Sequence, residues 1–265
     1  MTTKTRTRNT SDTKHARSHD ASAAERSRRH NRIPSRMAAR IIGILILVGW
    51  FTYGPGGAVT NSIVTAPDIL ANVAANQTIF TLGAVTMLLN SAAVVGIGVM
   101  WFPVLKRHSE PVALGYLATR ILEAAFLAVG VISLLSLTGL DADAGAASGA
   151  DSEMLGTIAV HVNDLAYQTG MATLGFGSLF FCALLFRTAL VPRPLAGWGV
   201  IGYGVFAAGM VLDMFGLGVG TSLTIPGGLF ELVFATWLIV KGFDPSATDQ
   251  PTATIDGEAY QRSAR

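Results

Sequence analysis

Six long apolar stretches, separated by short polar or glycine-rich segments, dominate the chain. A helix needs about 20 apolar residues to cross the roughly 30 Å hydrocarbon core of a membrane. The pattern therefore predicts an all-α, polytopic bundle of about six transmembrane helices. The first helix begins near Met37, and the other five cover approximately residues 79–105, 112–138, 155–185, 196–217 and 223–240.

Proline and glycine interrupt the first apolar stretch at Gly54–Gly57, where Pro55 removes a backbone donor. We expect a kink or an early end of the helix there. A polar loop is expected to follow over residues 61–77, and a second loop, rich in Gly, Ala, Ser and Asp, over residues 139–153. Glycines within the apolar stretches are expected at contacts between helices, because small residues let helices approach closely in lipid.

The two ends of the chain lack the apolar residues that a packed domain needs. Residues 1–35 are rich in Ser, Thr, Arg and His, and ten Lys and Arg residues lie between Lys4 and Arg36. Such a segment cannot bury enough apolar surface to offset the entropy lost on ordering. We therefore predict a disordered basic tail (1–35), a six-helix transmembrane domain (36–243) and a second disordered tail (244–265).

The distribution of basic residues predicts the orientation of the helices. Lys and Arg occur in the N-terminal tail, at 106–107, at 187 and 193, and at 241, whereas the predicted loops at 61–77, 139–153 and 218–222 contain none. Basic loops stay in the cytoplasm. Six spans with both termini in the cytoplasm satisfy every loop, and we expect the protein in a bacterial cytoplasmic membrane.

Composition limits the partners and the cofactors. The basic tail is expected to contact anionic lipid, but its lack of interleaved aromatic residues and of a recognisable fold predicts no specific nucleic acid partner. Cys182 is the one cysteine, so there is no internal disulfide and no thiolate metal cage. His161 is the one histidine within a predicted span, which is too few for a zinc site built from several His or Cys ligands. We expect no cofactor and no metal.

Ionisable side chains inside the apolar stretches are the candidate functional residues, because a charge inside a membrane normally faces protein or water. Arg120 and Glu123 are neighbours on one face of the third predicted span, since they are three residues apart. The same spacing pairs His161 with Asp164 on the fourth span. A rise of about 1.5 Å per residue places Glu231 roughly 12 Å from the outer surface on the sixth span.

These depths predict one polar cluster between the midplane and the outer surface, which Asn90 of the second span joins. The predicted binding residues are Arg120, Glu123, His161, Asp164, Glu231 and Asn90. Asp213, near the outer end of the fifth span, supplies a fourth carboxylate against the single cation of Arg120.

Three interpretations of the cluster stay open. In the first, Arg120 and Glu123 form a structural pair, and the other polar groups link helices through hydrogen bonds. In the second, the cluster lines an outward-opening cavity that binds or passes a small solute, a cation or protons. In the third, the protein is a metal-dependent intramembrane hydrolase with His161 among the ligands. We expect a non-enzymatic membrane protein of the second kind; the alternatives are an intramembrane enzyme and an accessory protein that acts through partners.

Several short motifs resemble the bacterial membrane proteins of domain-of-unknown-function family 4386. The matching stretches are Arg40-Ile41-Ile42-Gly43, Pro103-Val104-Leu105-Lys106-Arg107, Ala113-Leu114-Gly115-Tyr116 leading to Arg120 and Glu123, Leu190-Val191-Pro192-Arg193, and Glu231 before Trp237-Leu238-Ile239-Val240-Lys241-Gly242-Phe243. The resemblance covers about residues 40–243. It implies a multi-helix membrane protein, and it assigns neither an activity nor a catalytic residue.

Overall fold

The protein is helical throughout the part that the computed structural model describes, which is residues 35–66, 68–143 and 149–244. The helices are α1 (Ser35–Val64), α2 (Ile69–Ala75), α3 (Gln77–Leu105), α4 (Glu110–Asp143), α5 (Gly149–Thr188), α6 (Arg193–Met214) and α7 (Gly220–Val240). All except α2 are long and apolar enough to cross a membrane. The prediction of an all-α bundle with six spans is confirmed, whereas the predicted tails 1–35 and 244–265 lie outside the described residues, apart from Ser35 and Asp244.

Several helices extend beyond their predicted limits. Of the two expectations at Pro55, the early end is wrong, because α1 continues through this residue to Val64, and the kink stays a prediction. A proline inside a helix is tolerated in a membrane because neighbouring groups can satisfy the freed backbone atoms. The predicted loop over residues 61–77 is therefore mostly helical, and it contains the short helix α2. The predicted loop over residues 139–153 is likewise shortened from both sides by α4 and α5, while residues 144–148 lie outside the described ranges.

The end of α6 shows how glycine limits a helix. The pattern predicts a helix as far as Leu217, but α6 ends at Met214. Gly216 and Gly218 then adopt left-handed backbone conformations, with φ of 79° and 64°. Glycine reaches this region without a steric penalty, so it often follows the last helical residue.

The six spans form a ring. Each span contacts the next one along the chain, from α1 to α3 and onward to α7, and α7 returns to contact α1. The short helix α2 lies against α1, α4 and α5. Consecutive spans alternate in direction, so the ends that carry Arg36, Lys106, Arg107, Arg187, Arg193 and Lys241 share one side of the ring. We call this side the basic end.

Glycines bring neighbouring spans together, as predicted from the sequence. A methyl group built on Gly43 of α1 would lie 2.6 Å from the carbonyl oxygen of Ala235 in α7. A methyl group on Gly175 of α5 would lie 2.7 Å from the side chain of Ala207 in α6. Real side chains do not approach this closely, so the observed helix spacing requires glycine at both positions.

The interior near the basic end is closed by aromatic side chains. Trp101 packs edge-on against Phe181, with ring centroids 4.8 Å apart, and also contacts Phe234 and Phe243. The backbone amide of Asp244 donates to the carbonyl of Leu190, which fastens the end of the described chain to the α5–α6 connection. A second buried cluster, built from α1–α5, fills part of the opposite end. The space left between them is the central cavity.

Candidate functional site

A cavity of about 530 Å³ lies at the centre of the ring. Side chains from all six spans line it, and most of the lining is apolar. The polar lining residues include Asn90, Arg120, Glu123 and Glu231. The sequence predicted these four residues to be close together, and the structure does bring them to one cavity.

Arg120 and Glu123 form an ion pair within the wall of the cavity. The Nη1 atom of Arg120 donates to Oε2 of Glu123 across 2.9 Å, and both side chains are almost completely buried. The hydroxyl of Tyr116 accepts from Nε and Nη2 of the same guanidinium, at 2.9 and 2.8 Å. Three of the guanidinium donors therefore have partners within α4 itself, and the two opposite charges are matched.

The ion pair is held in place by close packing. A methyl group on Gly98 of α3 would lie 2.9 Å from Cβ of Arg120, so glycine leaves room for the arginine stem. The ring of Tyr116 stacks on that of Phe181 in α5, with centroids 4.3 Å apart. These contacts come from helices on both sides of α4, and they fix the position of the pair.

Glu231 of α7 is in a different environment. Its two carboxylate oxygens accept hydrogen bonds from Nε1 of Trp50, at 2.9 Å, and from the hydroxyl of Tyr203, at 2.7 Å. Trp50 belongs to α1 and Tyr203 to α6, so the carboxylate links three spans. Within the described residues the ion pairs are Lys106–Glu110 and Arg120–Glu123, and no cation is paired with Glu231.

The indole ring of Trp50 packs against Gly228 of α7 where it reaches Glu231. A methyl group on Gly228 of α7 would lie 3.0 and 3.1 Å from two ring carbons of Trp50. Only glycine leaves the indole room to lie this close to α7 without displacement. Gly49 similarly faces the side chain of Asn90, whose Oδ1 would lie 2.8 Å from an added methyl group.

The mouth of the cavity lies between α1 and α7. Four lining residues are exposed, namely Trp50 and Gly54 on α1 and Ile225 and Leu229 on α7. The lining residues from α3, α4, α5 and α6 are all buried or half-buried. Ile225 and Leu229 are apolar and more than half exposed. Because the exposed lining residues lie on these two helices, the cavity opens between α1 and α7.

The other two predicted residues lie apart from this cavity. Asp164 lines a smaller neighbouring cavity of about 230 Å³ with Asp213 and Gln168. Asp213 accepts a hydrogen bond from the backbone amide of Gly220, at 2.7 Å, and so fastens the start of α7. His161 is exposed and lines neither cavity.

The sequence pattern missed the hydrogen-bonding aromatic residues. Tyr116 is four residues before Arg120, so the helical spacing alone could have identified it as a partner. Trp50 and Tyr203 meet Glu231 across 181 and 28 residues of chain. In the sequence, Trp50 and Tyr203 stand out only as aromatic residues with a polar atom inside an apolar stretch.

Metal coordination was one of the interpretations left open by the sequence. Among the residues that the structure describes, no three His, Cys, Asp or Glu side chains are arranged to hold a metal ion. His161 and Asp164 thus lack the third ligand that the hydrolase interpretation requires within this part of the chain.

Comparison with known families identifies the chain. The model of one family, described as a domain of unknown function (DUF4386), matches residues 41–242. The chain belongs to domain-of-unknown-function family 4386. The match runs from the first turns of α1 to the end of α7, and it includes every charged residue that lines the central cavity.

The family assignment confirms the resemblance seen in the motifs. No curated protein and no solved structure matches the chain. Membership of family 4386, together with six apolar spans, makes this an integral, multi-pass membrane protein. The family description names no activity, so any function must be argued from the cavity.

Proposed function

We propose that this protein binds a small molecule in its central cavity, with Asn90, Arg120, Glu123 and Glu231 providing the polar part of the site. The size and the lining of the cavity are the main support for this proposal. Ligand sites typically occupy about 300–1,000 Å³, and they combine mostly apolar walls with a few placed polar groups. A volume of about 530 Å³ with three charged residues in a mostly apolar wall fits that description.

The position of the mouth supports binding from the membrane. The four exposed lining residues lie on the seam between α1 and α7, which is open to lipid. A ligand with an apolar body can partition into the bilayer and enter from there. The outward opening that the sequence suggested stays a prediction.

A structural role for all the charges is the competing explanation. It accounts well for Arg120 and Glu123, whose charges are paired and whose side chains are buried. It accounts less well for Glu231, which has no paired cation and lines the cavity beside its mouth. The binding roles predicted for His161 and Asp164 stay predictions.

A thermal-shift experiment with a blocked cavity tests the proposal. Val94 of α3 is buried and lines the cavity, whereas Val99 on the same helix is 53% exposed to the surrounding lipid. A panel of small aromatic amines and alcohols is screened for compounds that raise the melting temperature of the purified protein. A bound ligand stabilises the folded state in proportion to the logarithm of its concentration over Kd.

Val94→Trp is expected to remove the stabilisation, because the larger ring fills the binding space. Val99→Trp, the matched control, should leave it unchanged. The proposal fails if no compound stabilises the wild-type protein, or if Val94→Trp preserves the stabilisation by every active compound.

A further inference from the structure

The charges around the central cavity do not balance. Arg120 carries one positive charge, and Glu123 is paired with it at 2.9 Å. Glu231 adds a second carboxylate to the same lining, where its described partners are the neutral donors Trp50 and Tyr203. Two hydrogen bonds from neutral donors stabilise a carboxylate but do not neutralise it. The lining therefore holds one carboxylate more than it holds cations, and the positive charge of a ligand can balance it.

Aromatic rings also line the cavity that contains Glu231. Trp50 and Tyr203 bond to the carboxylate, and Tyr53 and Tyr167 line the same cavity. Tyr53 and Tyr167 stack against each other, with ring centroids 5.7 Å apart. Indole and phenol rings attract a cation placed over their faces within about 6 Å, and several such rings recognise quaternary ammonium groups.

The remaining wall suits an apolar group. Val94, Ile97, Leu174 and Phe206 line the cavity without offering a polar side-chain atom. The exposed residues at the mouth, Ile225 and Leu229, are also apolar. Removing the water of a small inorganic cation costs more than removing that of a quaternary ammonium, whose charge is covered by methyl groups, so a mostly apolar wall favours the organic ion.

From these three observations we infer that the central cavity binds an organic cation with an apolar body, and that Glu231 anchors its cationic group. The inference rests on the proposed binding function and specifies its ligand class. The cationic group lies between the Glu231 carboxylate and the aromatic rings. The apolar body lies against the aliphatic wall, and the ligand enters along the α1–α7 seam.

A pair of probes with the same shape separates charge from size. Benzyltrimethylammonium carries a permanent charge, and neopentylbenzene replaces its nitrogen by carbon to give an uncharged molecule of nearly equal shape. Binding of both probes to the full chain is measured by equilibrium dialysis in lipid nanodiscs. Affinities are corrected for partition of each probe into protein-free nanodiscs.

Three variants complete the design. Glu231→Gln removes the charge and keeps the side-chain shape. Glu110→Gln is the matched control, because Glu110 is an exposed carboxylate that pairs with Lys106 outside the cavity. Val94→Trp blocks the cavity. Retained binding of the uncharged probe shows that the Glu231→Gln protein is folded.

We expect wild-type protein to bind the cation, and Glu231→Gln to weaken that binding about tenfold or more, because the ammonium group loses its carboxylate partner while the aromatic rings stay in place. Binding of the uncharged probe should change less than about twofold, since it makes no charge contact. Glu110→Gln should match the wild type for both probes.

Two different failures can be told apart. If the uncharged probe binds as tightly as the cation, or if Glu231→Gln weakens both probes equally, the cation inference is overturned while the cavity remains a binding site. If neither probe binds, or if Val94→Trp leaves binding intact, the proposed function fails and the inference fails with it.

Discussion

Glu123 and Glu231 line the same cavity, yet they differ in burial and in hydrogen-bond partners. Glu123 is 2% exposed and is paired with Arg120 on its own helix. Glu231 is half-buried and accepts hydrogen bonds from two other helices, without a paired cation. The first arrangement pairs opposite charges, whereas in the second a carboxylate accepts hydrogen bonds from neutral donors only. On the proposed function, the first holds the bundle together and the second meets the ligand.

The largest expected effect comes from breaking the pair at Arg120. Arg120→Met leaves the Glu123 carboxylate buried without a cation, which should lower the free energy of unfolding by about 3–5 kcal/mol. Lys106→Met is the control, because it breaks an exposed pair with Glu110 and should cost about 0–1 kcal/mol. Denaturation in mild detergent measures both. Similar losses for the two variants would contradict a structural role for the buried pair.

A double variant sharpens this test. Arg120→Met with Glu123→Leu removes both charges and keeps most of the buried volume. Replacing a complete buried ion pair by apolar residues is often neutral or stabilising. The double variant should therefore regain most of the stability that Arg120→Met loses. Failure to recover would mean that the pair does more than neutralise its own charges.

The next effect concerns the contact between Trp50 and α7. Gly228→Ala places a methyl group 3.0 Å from the indole ring, so the ring of Trp50 must shift by a few tenths of an ångström. We expect a loss of about 1–3 kcal/mol from overpacking and a shift in tryptophan fluorescence. Gly57→Ala in α1 is the control, because nothing lies within 4 Å of the added methyl group. Equal stability and equal tryptophan fluorescence of the two variants would show that Gly228 does not position Trp50.

A smaller effect on stability is expected at Glu231 itself. Glu231→Gln leaves no cation unpaired, and one amide oxygen can still accept a hydrogen bond. The stability should change by no more than about 1 kcal/mol, in contrast to the large loss expected at Arg120. The same denaturation experiment measures it. A loss as large as that of Arg120→Met would show that Glu231 is also structural, and the difference between the two carboxylates would disappear.

The smallest effect is a pH dependence at the basic end. Burial lowers the pKa of His108 below its usual range, and the nearby Arg107 cation lowers it further. Between the lowered value and the ordinary value near 6.5, the unfolded chain binds more protons than the folded protein, so stability increases with pH in that interval. His108→Gln should flatten this part of the profile. If the profile is unchanged, groups elsewhere cause it.

The fold was largely predictable because a membrane imposes a simple rule on the sequence. Long apolar stretches marked all six spans, and the basic residues at their ends fell on one side of the ring. The ends of the helices were harder to predict. Pro55 can remain inside α1, whereas Gly216 and Gly218 stop α6 before its apolar stretch is finished. The position at which each helix ends depends on local backbone geometry, which cannot be predicted from the hydrophobicity of the residues.

The site was only partly predictable, for a physical reason. Spacing along one helix correctly placed Arg120 beside Glu123, since neighbours on a helix follow from its period. The same spacing put His161 near Asp164 but did not reveal that His161 is exposed and outside both cavities. The partners of Glu231 come from α1 and α6. Contacts between distant helices depend on which faces meet, and one sequence does not specify that.

The most direct test of the central claim is a structure with a bound heavy-atom cation. Crystals grown with 4-iodobenzyltrimethylammonium would locate the ligand through the anomalous signal of iodine. If the cation binds in the central cavity, one iodine peak will lie inside the ring of helices. The ammonium group will then point toward Glu231 and lie within about 6 Å of the aromatic rings that line the cavity. Iodine found only outside the bundle, or an ammonium group directed away from Glu231, would contradict it.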